Sequence, residues 1–454
     1  MDRERMGRGV ACFSLAPSGK NKSEGLQKIW PCLPFPHSFF FIPSVVSLLL
    51  PMPSPAAALA AAALALALAR PDWSGVYMNC AVRLPLGTPP ALPALAAPDP
   101  AALESSSLRA ATTAWADAIV GPESFAFGPD GTLYTGSANG TVWAVPPAGR
   151  GPPAPRALAH TGGRPVGLAW DATHARLLVA CSVKGLLGLD PVTGRVALLA
   201  SHAGAGPGGP GGLIFFANSV TALAPGVGGA GRAGGALFTA SMDTPPPPPS
   251  APGAWWQPAA AAPAALFSGV PTGRLLRYDE ATGATTVLAA GLWFANGVAL
   301  VDGGGAALVA ETFGGRLVKV GLGPGGRGGE EEGRVTPFAD LPGFPDGVAL
   351  DPTRPASAWV AIVEAPPSPA VARGLAASRA ARWVAARLPP AVAARGTPPL
   401  GLVVRVSTAD GAILETRADA GGRVVRGVTS AVAGPDGRLY LGSLAGAGVQ
   451  SVAV

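Results

Sequence analysis

Four side chains with oxygen donors recur at one position of a short repeated segment. The third residue of the segment carries a carboxylate or an amide in four copies, at Glu123, Asn218, Asn296 and Asp346. Carboxylate and amide oxygens are the ligands that a hard divalent cation such as Ca²⁺ prefers. Two carboxylates would also balance the charge of one such ion. The pattern predicts a calcium site, provided that the fold brings the four segments together.

Each of these residues alone also has a structural interpretation. Asn-Gly and Asp-Gly favour tight turns, so Asn296 with Gly297 and Asp346 with Gly347 fit ordinary turns. The coincidence of four oxygen donors at one repeat position favours the metal site over four unrelated turns.

The repeated segment occurs six times and indicates the fold. The copies are GPESFAF (121–127), RPVGLAW (164–170), FANSVTA (216–222), FANGVAL (294–300), FPDGVAL (344–350) and VTSAVAG (428–434). Aligned on the third residue, the remaining two copies carry Val166 and Ser430. Each copy is followed by a turn and a second apolar segment, and further strand-like segments alternate with turns such as PDG and ATG. These repeats predict an all-β, six-bladed β-propeller, whose first strands line the central channel.

Three insertions interrupt the repeats, at 201–212, 243–268 and 367–399. The second is rich in Pro and Ala, which is typical of a loop. The third contains residues 370–388, whose apolar and basic residues alternate as on an amphipathic helix. We therefore expect a helical insertion before the last blade. It is either a lid or membrane-facing element, or a helix packed on the surface by its apolar side.

Residues 1–70 are predicted to be an N-terminal extension, with the propeller spanning 71–454. Two apolar segments lie in it, 38–52 and 56–69, and the second fits a signal-peptide core or a short signal anchor. A plastid transit peptide and a start at Met52 instead of Met1 are the open alternatives. We expect the secretory pathway or endomembrane (ER lumen, vacuole or extracellular space), with a soluble or N-terminally anchored, membrane-associated protein.

Several other features narrow the function. The Asn139-Gly140-Thr141 sequon predicts N-glycosylation at Asn139, in line with the secretory route. The net charge is +6, but no basic run with interleaved aromatic residues occurs, which argues against nucleic-acid binding. Cys80 and Cys181 allow either one disulfide or two thiols, and no Cys/His cluster suggests zinc. None of the four histidines lies in a repeated opening, so the sequence offers no histidine as a candidate catalytic acid or base.

The repeated segments resemble the strictosidine synthase-like family of six-bladed propellers, which includes the adipocyte plasma membrane-associated protein. The resemblance runs from about Gly121 to the C-terminus. Besides the openings, it is carried by GRLLRYD (273–279) and GRLYLGSL (437–444). The family is similar to paraoxonase- and gluconolactonase-type hydrolases, in which a Glu, two Asn and an Asp hold a catalytic calcium. The resemblance implies the same roles for Glu123, Asn218, Asn296 and Asp346, with Asp346 as base or nucleophile.

The resemblance implies hydrolysis of a small apolar ester or lactone, as in arylesterases and lactonases. Strictosidine synthases themselves place a catalytic Glu in the sixth repeat, where the matching residue here is Ser430. A serine is not protonated and deprotonated near neutral pH as a catalytic Glu is, which argues against a condensing enzyme. The other alternative is a non-catalytic propeller, with a structural calcium and a protein or lipid partner, because this fold hosts both kinds of function.

Overall fold

The computed structural model describes residues 106–147, 154–244, 262, 265–266, 269–323, 331–365 and 399–454. The expectations for the extension 1–70 and for a helix within 370–388 concern residues outside these ranges. Within them, the strands form six four-stranded antiparallel sheets and one small hairpin. No helix in the described ranges is long and apolar enough to cross a membrane.

The strands follow one another along the chain blade by blade. A first strand, β1 (Thr112–Ala114), is followed by blade 1, which comprises β2 (Phe125–Phe127), β3 (Leu133–Gly136), β4 (Thr141–Val145) and β5 (Arg156–His160). Blade 2 comprises β6 (Pro165–Asp171), β7 (Arg176–Cys181), β8 (Gly185–Leu189) and β9 (Val196–Ala200). The hairpin β10 (His202–Ala203) and β11 (Gly212–Leu213) leads to blade 3, which comprises β12 (Ala217–Leu223), β13 (Gly235–Ala240), β14 (Gly273–Asp279) and β15 (Thr285–Leu292).

The second half of the ring has the same organisation. Blade 4 comprises β16 (Ala295–Val301), β17 (Ala306–Glu311), β18 (Arg316–Gly321) and β19 (Val335–Asp340). Blade 5 comprises β20 (Phe344–Leu350), β21 (Ser357–Glu364), β22 (Leu400–Ser407) and β23 (Ile413–Ala420). Blade 6 contains β24 (Val428–Ala433), β25 (Arg438–Ser443) and β26 (Val449–Ala453). Short 3-10 turns span Ser107–Ala110, Asp302–Gly304 and Thr312–Gly314.

The ring is closed by the two ends of the propeller. Each inner strand (β2, β6, β12, β16, β20 and β24) contacts the next, and β24 contacts β2. The strand β1 pairs with β26, with Thr112 opposite Ser451, and so supplies the outermost strand of blade 6. The predicted six-bladed β-propeller is therefore confirmed, and all six inner strands begin within the six repeated openings.

The second strand of a blade is covered on both faces. The strands β13 and β17 are buried along their whole length, and β7 is buried after its first residue. Because blades stack face to face, the strands between inner and outer edges touch neighbouring blades on both sides. This explains why these strands are nearly continuous apolar runs instead of alternating ones.

The two largest insertions leave from one face of the ring. The candidate ligands lie at the beginning of the inner strands, and successive strands run antiparallel. The connections from second to third strands therefore lie at the same face as the ligands. Both insertions are connections of this kind, since one follows β13 and the other follows β21. The insertion 367–399 is thus a connection within blade 5, between its second and third strands.

Candidate functional site

The candidate ligands lie in irregularities at the start of the inner strands. In blades 3, 4 and 5 the pairing with the second strand shifts register between Ala217 and Val220, Ala295 and Val298, and Pro345 and Val348. In each blade the first residue inside the shift is the candidate ligand, Asn218, Asn296 or Asp346. A bulge of this kind re-aims a side chain away from the regular alternation of the sheet. The local structure thus singles out the repeat position that the sequence predicted.

The backbone just before the site is left-handed in four blades. Two residues before the site position, φ is 64° at Gly121, 48° at Phe216 and 57° at Phe294; in blade 6, φ is 58° at Gly427, three residues before Ser430. Glycine adopts this conformation freely, whereas a bulky residue does so at a cost on the order of 1 kcal/mol or more. Strained residues that a fold maintains cluster at functional sites. The two phenylalanines therefore mark this end of the ring as a candidate site.

The sixth repeat is shifted by one residue from its sequence alignment. In blades 1, 3 and 4 the site residue follows the left-handed residue by two positions, and in blade 6 the residue two positions after Gly427 is Thr429. Thr429 is also the first residue inside the register shift between Val428 and Ala431. Thr429 therefore occupies the position of Asn296, and Ser430 occupies that of Gly297. The sequence alignment matched Val428 with Phe294 because both are apolar, and this displaced Ser430 into the ligand position. The catalytic position that the family resemblance assigns to Ser430 stays a prediction.

The sixth blade contributes hydroxyl groups beside Glu123. The Thr429 hydroxyl donates to the backbone oxygen of Glu123 at 3.0 Å. In the repeat, Ser430 is equivalent to Ser124 and Ser219, whose hydroxyls accept bonds from Leu168 N and Val298 N in the next blade. Ser430 itself is buried, and its hydroxyl has no hydrogen-bond partner among the described residues. Neither hydroxyl supplies an acid or base for neutral pH.

Two carboxyl groups meet at the axis although their residues are far apart in sequence. Glu123 from blade 1 and Asp346 from blade 5 are each 6% exposed. Burial raises the pKa of Glu123 to about 7, against the opposing effect of Arg164. Burial also raises the pKa of Asp346 well above its usual value; the charge of Glu123 raises it further, and a hydrogen bond from Asn296 opposes the shift. Because the charge of Glu123 acts on Asp346, the structure brings these two predicted residues together.

The two candidate amides are held by hydroxyls of their own blades. Asn218 Nδ2 donates to Ser241 Oγ at 2.9 Å, and Asn296 Nδ2 lies 3.2 Å from Thr312 Oγ1. The Ser241 hydroxyl in turn donates to the backbone oxygen of Ala295 in the next blade. Because the amide nitrogens are bound, the carboxamide oxygens are the ends of these side chains suited to a cation.

A buried arginine, Arg164, also belongs to the site, and the repeat pattern did not predict it. Blade 2 has Val166 at the ligand position, but Arg164 precedes it and is only 3% exposed. Arg164 Nε lies 3.5 Å from Glu123 Oε2. The signal was visible in sequence, because Arg164 begins an opening whose five counterparts all begin with an uncharged residue. Its partners could not be inferred, since they lie in two other blades.

One side of the site is aromatic. Phe216, Phe294 and Phe344, the first residues of three openings, pack with Phe313 and Trp293 in a buried cluster. Consecutive rings lie 5.0 to 5.8 Å apart between centroids. Blades 3 to 5 therefore present an apolar wall beside the candidate ligands, whereas blades 1, 2 and 6 carry glycine or Arg164 at the same position.

The remaining sequence predictions fall away from the axis. Asn139 is exposed in the turn between β3 and β4, where its Oδ1 accepts bonds from Ser137 Oγ and Thr141 N. Glycosylation there stays a prediction. Cys181 is buried, and burial raises the pKa of its thiol. Cys80, its partner in the predicted alternative of a disulfide, lies outside the described residues. No group of three or more His, Cys, Asp or Glu suited to a metal occurs in the described part of the chain, so a metal at the axis would require the asparagines.

Comparison with protein families gives two matches. A family model described as strictosidine synthase matches residues 258–320, and one described as strictosidine synthase-like, N-terminal, matches residues 104–145. Together they cover parts of blades 1, 3 and 4 and the strand β1, which belongs to blade 6.

Three curated relatives extend these matches. Strictosidine synthase-like 10 of Arabidopsis thaliana is 30% identical over 351 residues, covering 71% of this chain and 83% of that protein. Strictosidine synthase-like 13 of the same plant is 34% identical over 200 residues, covering 44% of this chain and 41% of the relative. Adipocyte plasma membrane-associated protein of Salmo salar is 30% identical over 272 residues, 58% of each chain. The last two are thus matched over less than two thirds of their own length.

A solved structure with a similar chain path is a gluconolactonase from Xanthomonas campestris. It superimposes with a TM-score of 0.49 at 17% identity, covering 81% of this chain and 98% of that chain.

Proposed function

This chain belongs to the strictosidine synthase-like family, and from that premise we propose that it is a calcium-dependent hydrolase of esters or lactones. The observation that carries the proposal is the pair of buried, interacting carboxyl groups of Glu123 and Asp346. They lie with two carboxamides at equivalent positions of the inner strands. Burying two carboxylates together is costly unless a cation offsets their charge.

The side chains present fit such a cation. Glu123, Asn218, Asn296 and Asp346 would hold it, with two carboxylates and two carboxamide oxygens as a hard donor set. Glu123 Oε2 is buried, and apart from its ion pair with Arg164 it accepts no hydrogen bond from the described residues. A buried carboxylate oxygen of this kind supports the assignment of a ligand.

The chain's own groups suit hydrolysis. A bound calcium would polarise the carbonyl group of an ester and stabilise negative charge on its oxygen. Asp346, oriented by its hydrogen bond with Asn296, is the candidate base. It would take a proton from the water that attacks the carbonyl carbon and return it to the leaving alkoxide as the C–O bond breaks. Phe216, Phe294 and Phe344 would contact the apolar part of the substrate and exclude water.

The condensing reaction of strictosidine synthases is a poorer match to this site. It would need an acid or base from the sixth blade, and the residues there are Thr429 and Ser430. Their hydroxyls do not ionise near neutral pH and so do not replace a carboxylate as acid or base.

The proposal is tested by turnover of phenyl acetate and of a simple lactone by the full chain, first with calcium and then with chelator. We expect turnover that requires calcium and that falls by about 100-fold or more in Asp346→Asn, as for loss of a general base. Asp410→Asn, in an exposed turn, is the control and should retain full activity. Turnover that survives chelation would contradict the proposal. Calcium binding without turnover of either substrate would favour the alternative of a non-catalytic propeller with a structural calcium.

A further inference from the structure

The Arg164 side chain, which belongs to blade 2, contacts residues of blade 1 and blade 6. Its Nη2 donates to the backbone oxygen of Gly121 in blade 1 at 3.1 Å and to that of Leu444 in blade 6 at 2.8 Å. Its Nε lies 3.5 Å from Glu123 Oε2. One guanidinium thus connects three blades beside the candidate cation site.

The surrounding backbone is shaped to admit this guanidinium. A Cβ added at Gly121 would lie 2.5 Å from the backbone oxygen of Leu444 and 2.8 Å from Arg164 Nη2. Gly121 also has a φ of 64°, which disfavours any other residue. Swinging the guanidinium away would leave two backbone carbonyls without this donor. Arg164 is therefore a fixed part of the site.

Arg164 also changes the charge of the site. An arginine stays protonated in proteins, so its positive charge persists next to Glu123. With both carboxylates ionised, the site then carries one uncompensated negative charge instead of two. Like charges a few ångströms apart in a buried site repel strongly, so this guanidinium opposes the binding of a second cation nearby.

We propose that Arg164 is a resident cation of the axial site, which positions Glu123 in the cation-free protein and weakens the site's affinity for a divalent cation. The site would then bind calcium reversibly, because the cation-free state keeps a partner for its buried carboxylate. This inference deepens the proposed function, on which it rests for the identity of the ion. It makes Arg164 a positioning residue that regulates cation affinity.

The test is calcium titration calorimetry on the full chain, together with thermal unfolding in chelator. Arg164→Met removes the charge, and we expect it to bind calcium about tenfold more tightly, by the loss of charge repulsion. Compared with wild type, it should have a lower melting temperature in chelator, and added calcium should raise its melting temperature by more. Arg164→Lys keeps the charge but not the two-carbonyl geometry. Its affinity should stay within about threefold of wild type, with a reduced melting temperature in chelator.

The matched control is Arg176→Met. Arg176 pairs with Asp171 at 3.0 Å and with Glu280 of blade 3, at the opposite end of the strands of blade 2. This variant should lose stability with unchanged calcium affinity. It separates a general effect of removing an inter-blade arginine from an effect on the site.

The outcomes are distinguishable from those of the hydrolase proposal. Unchanged or weaker calcium binding by a folded Arg164→Met would overturn the role of Arg164, and so would the absence of binding in every variant. Tighter binding by Arg164→Met would support it even if wild type hydrolyses neither phenyl acetate nor a lactone. In that case only the proposed activity would fail.

Discussion

At the scale of single residues, the site is defined by a conflict between burial and charge. Glu123 and Asp346 lie in the ring interior, where water cannot solvate an ionised carboxylate well. Their raised pKa values express this conflict in the absence of a cation. A cation and protons should therefore compete for the same two groups.

The stability of the cation-free protein should depend on Glu123. The pKa of Glu123 rises from 4.5 to about 7 in the folded chain, so the folded state binds its proton more tightly than the unfolded state. The resulting stabilisation is fully present below about pH 4.5 and is lost as the pH rises through 7. A shift of this size corresponds to about 3 kcal/mol. In chelator, the melting temperature of wild type should therefore fall from pH 5 to pH 8 more than that of Glu123→Gln.

The control for this measurement is the exposed Asp410. Asp410→Asn should leave the pH profile of wild type unchanged in this range, because the pKa of Asp410 is lowered by its turn hydrogen bonds. Parallel profiles for wild type and Glu123→Gln would show that Glu123 titrates normally and would remove the electrostatic basis of the site.

At the scale of elements, the sequence predicted the strands whose burial leaves a pattern. The inner strands and the second strands are rich in apolar residues, and all twelve predicted segments coincide with strands or directly precede them. Outer strands such as Arg156–His160 and Val335–Asp340 are largely exposed, so they carry little apolar signal. Strand identity was therefore most visible where packing constrains composition.

The candidate site was predictable only as far as the repeat itself. Glu123, Asn218, Asn296 and Asp346 share a repeat position, and the structure places all four in buried, equivalent surroundings. Arg164 acts through backbone oxygens 43 and 280 residues away in sequence, which no local pattern records. The shift at Ser430 arose because Gly427 replaces the aromatic residue that marks blades 3 to 5. Backbone conformation, which identifies Gly427 as its counterpart, is not visible in a single sequence.

A hairpin turn offers a prediction about backbone strain. The turns before β3 and β25 contain glycine with positive φ, at Gly131 (83°) and Gly437 (74°), whereas the turn before β7 has Ala175 at 50°. Ala175→Gly should relieve the left-handed strain and stabilise the protein by about 1 kcal/mol. Chemical denaturation would measure the change. Ala172→Gly, in the same turn but without this conformation, should be neutral or destabilising; a loss of stability in Ala175→Gly would contradict the assignment.

At the scale of the whole molecule, the ring depends on joining residues from opposite ends of the propeller. The strand β1 pairs with β26, and the preceding turn Ser107–Ala110 lies against β23 of blade 5. Arg109 pairs with Asp419 at 2.9 Å, and Ser107 Oγ accepts a bond from Ala418 N. The N-terminal residues of the propeller thus bridge its last two blades. This pairing covers the edge of β26 and completes blade 6 as a four-stranded sheet, with β1 as its outermost strand.

Leu108 anchors this bridge and provides its sharpest test. Its side chain is fully buried in a cluster with Trp359 and Val403 of blade 5 and Val425 near the start of blade 6. Leu108→Ala should leave a cavity and cost about 2 to 5 kcal/mol of unfolding free energy. Leu198→Ala, at a side chain that is 59% exposed in β9, should change it by less than about 0.5 kcal/mol. If both substitutions change the unfolding free energy equally, the β1–β26 pairing closes the ring without a contribution from Leu108. A much larger loss in Leu108→Ala would show that the buried leucine stabilises the closed ring.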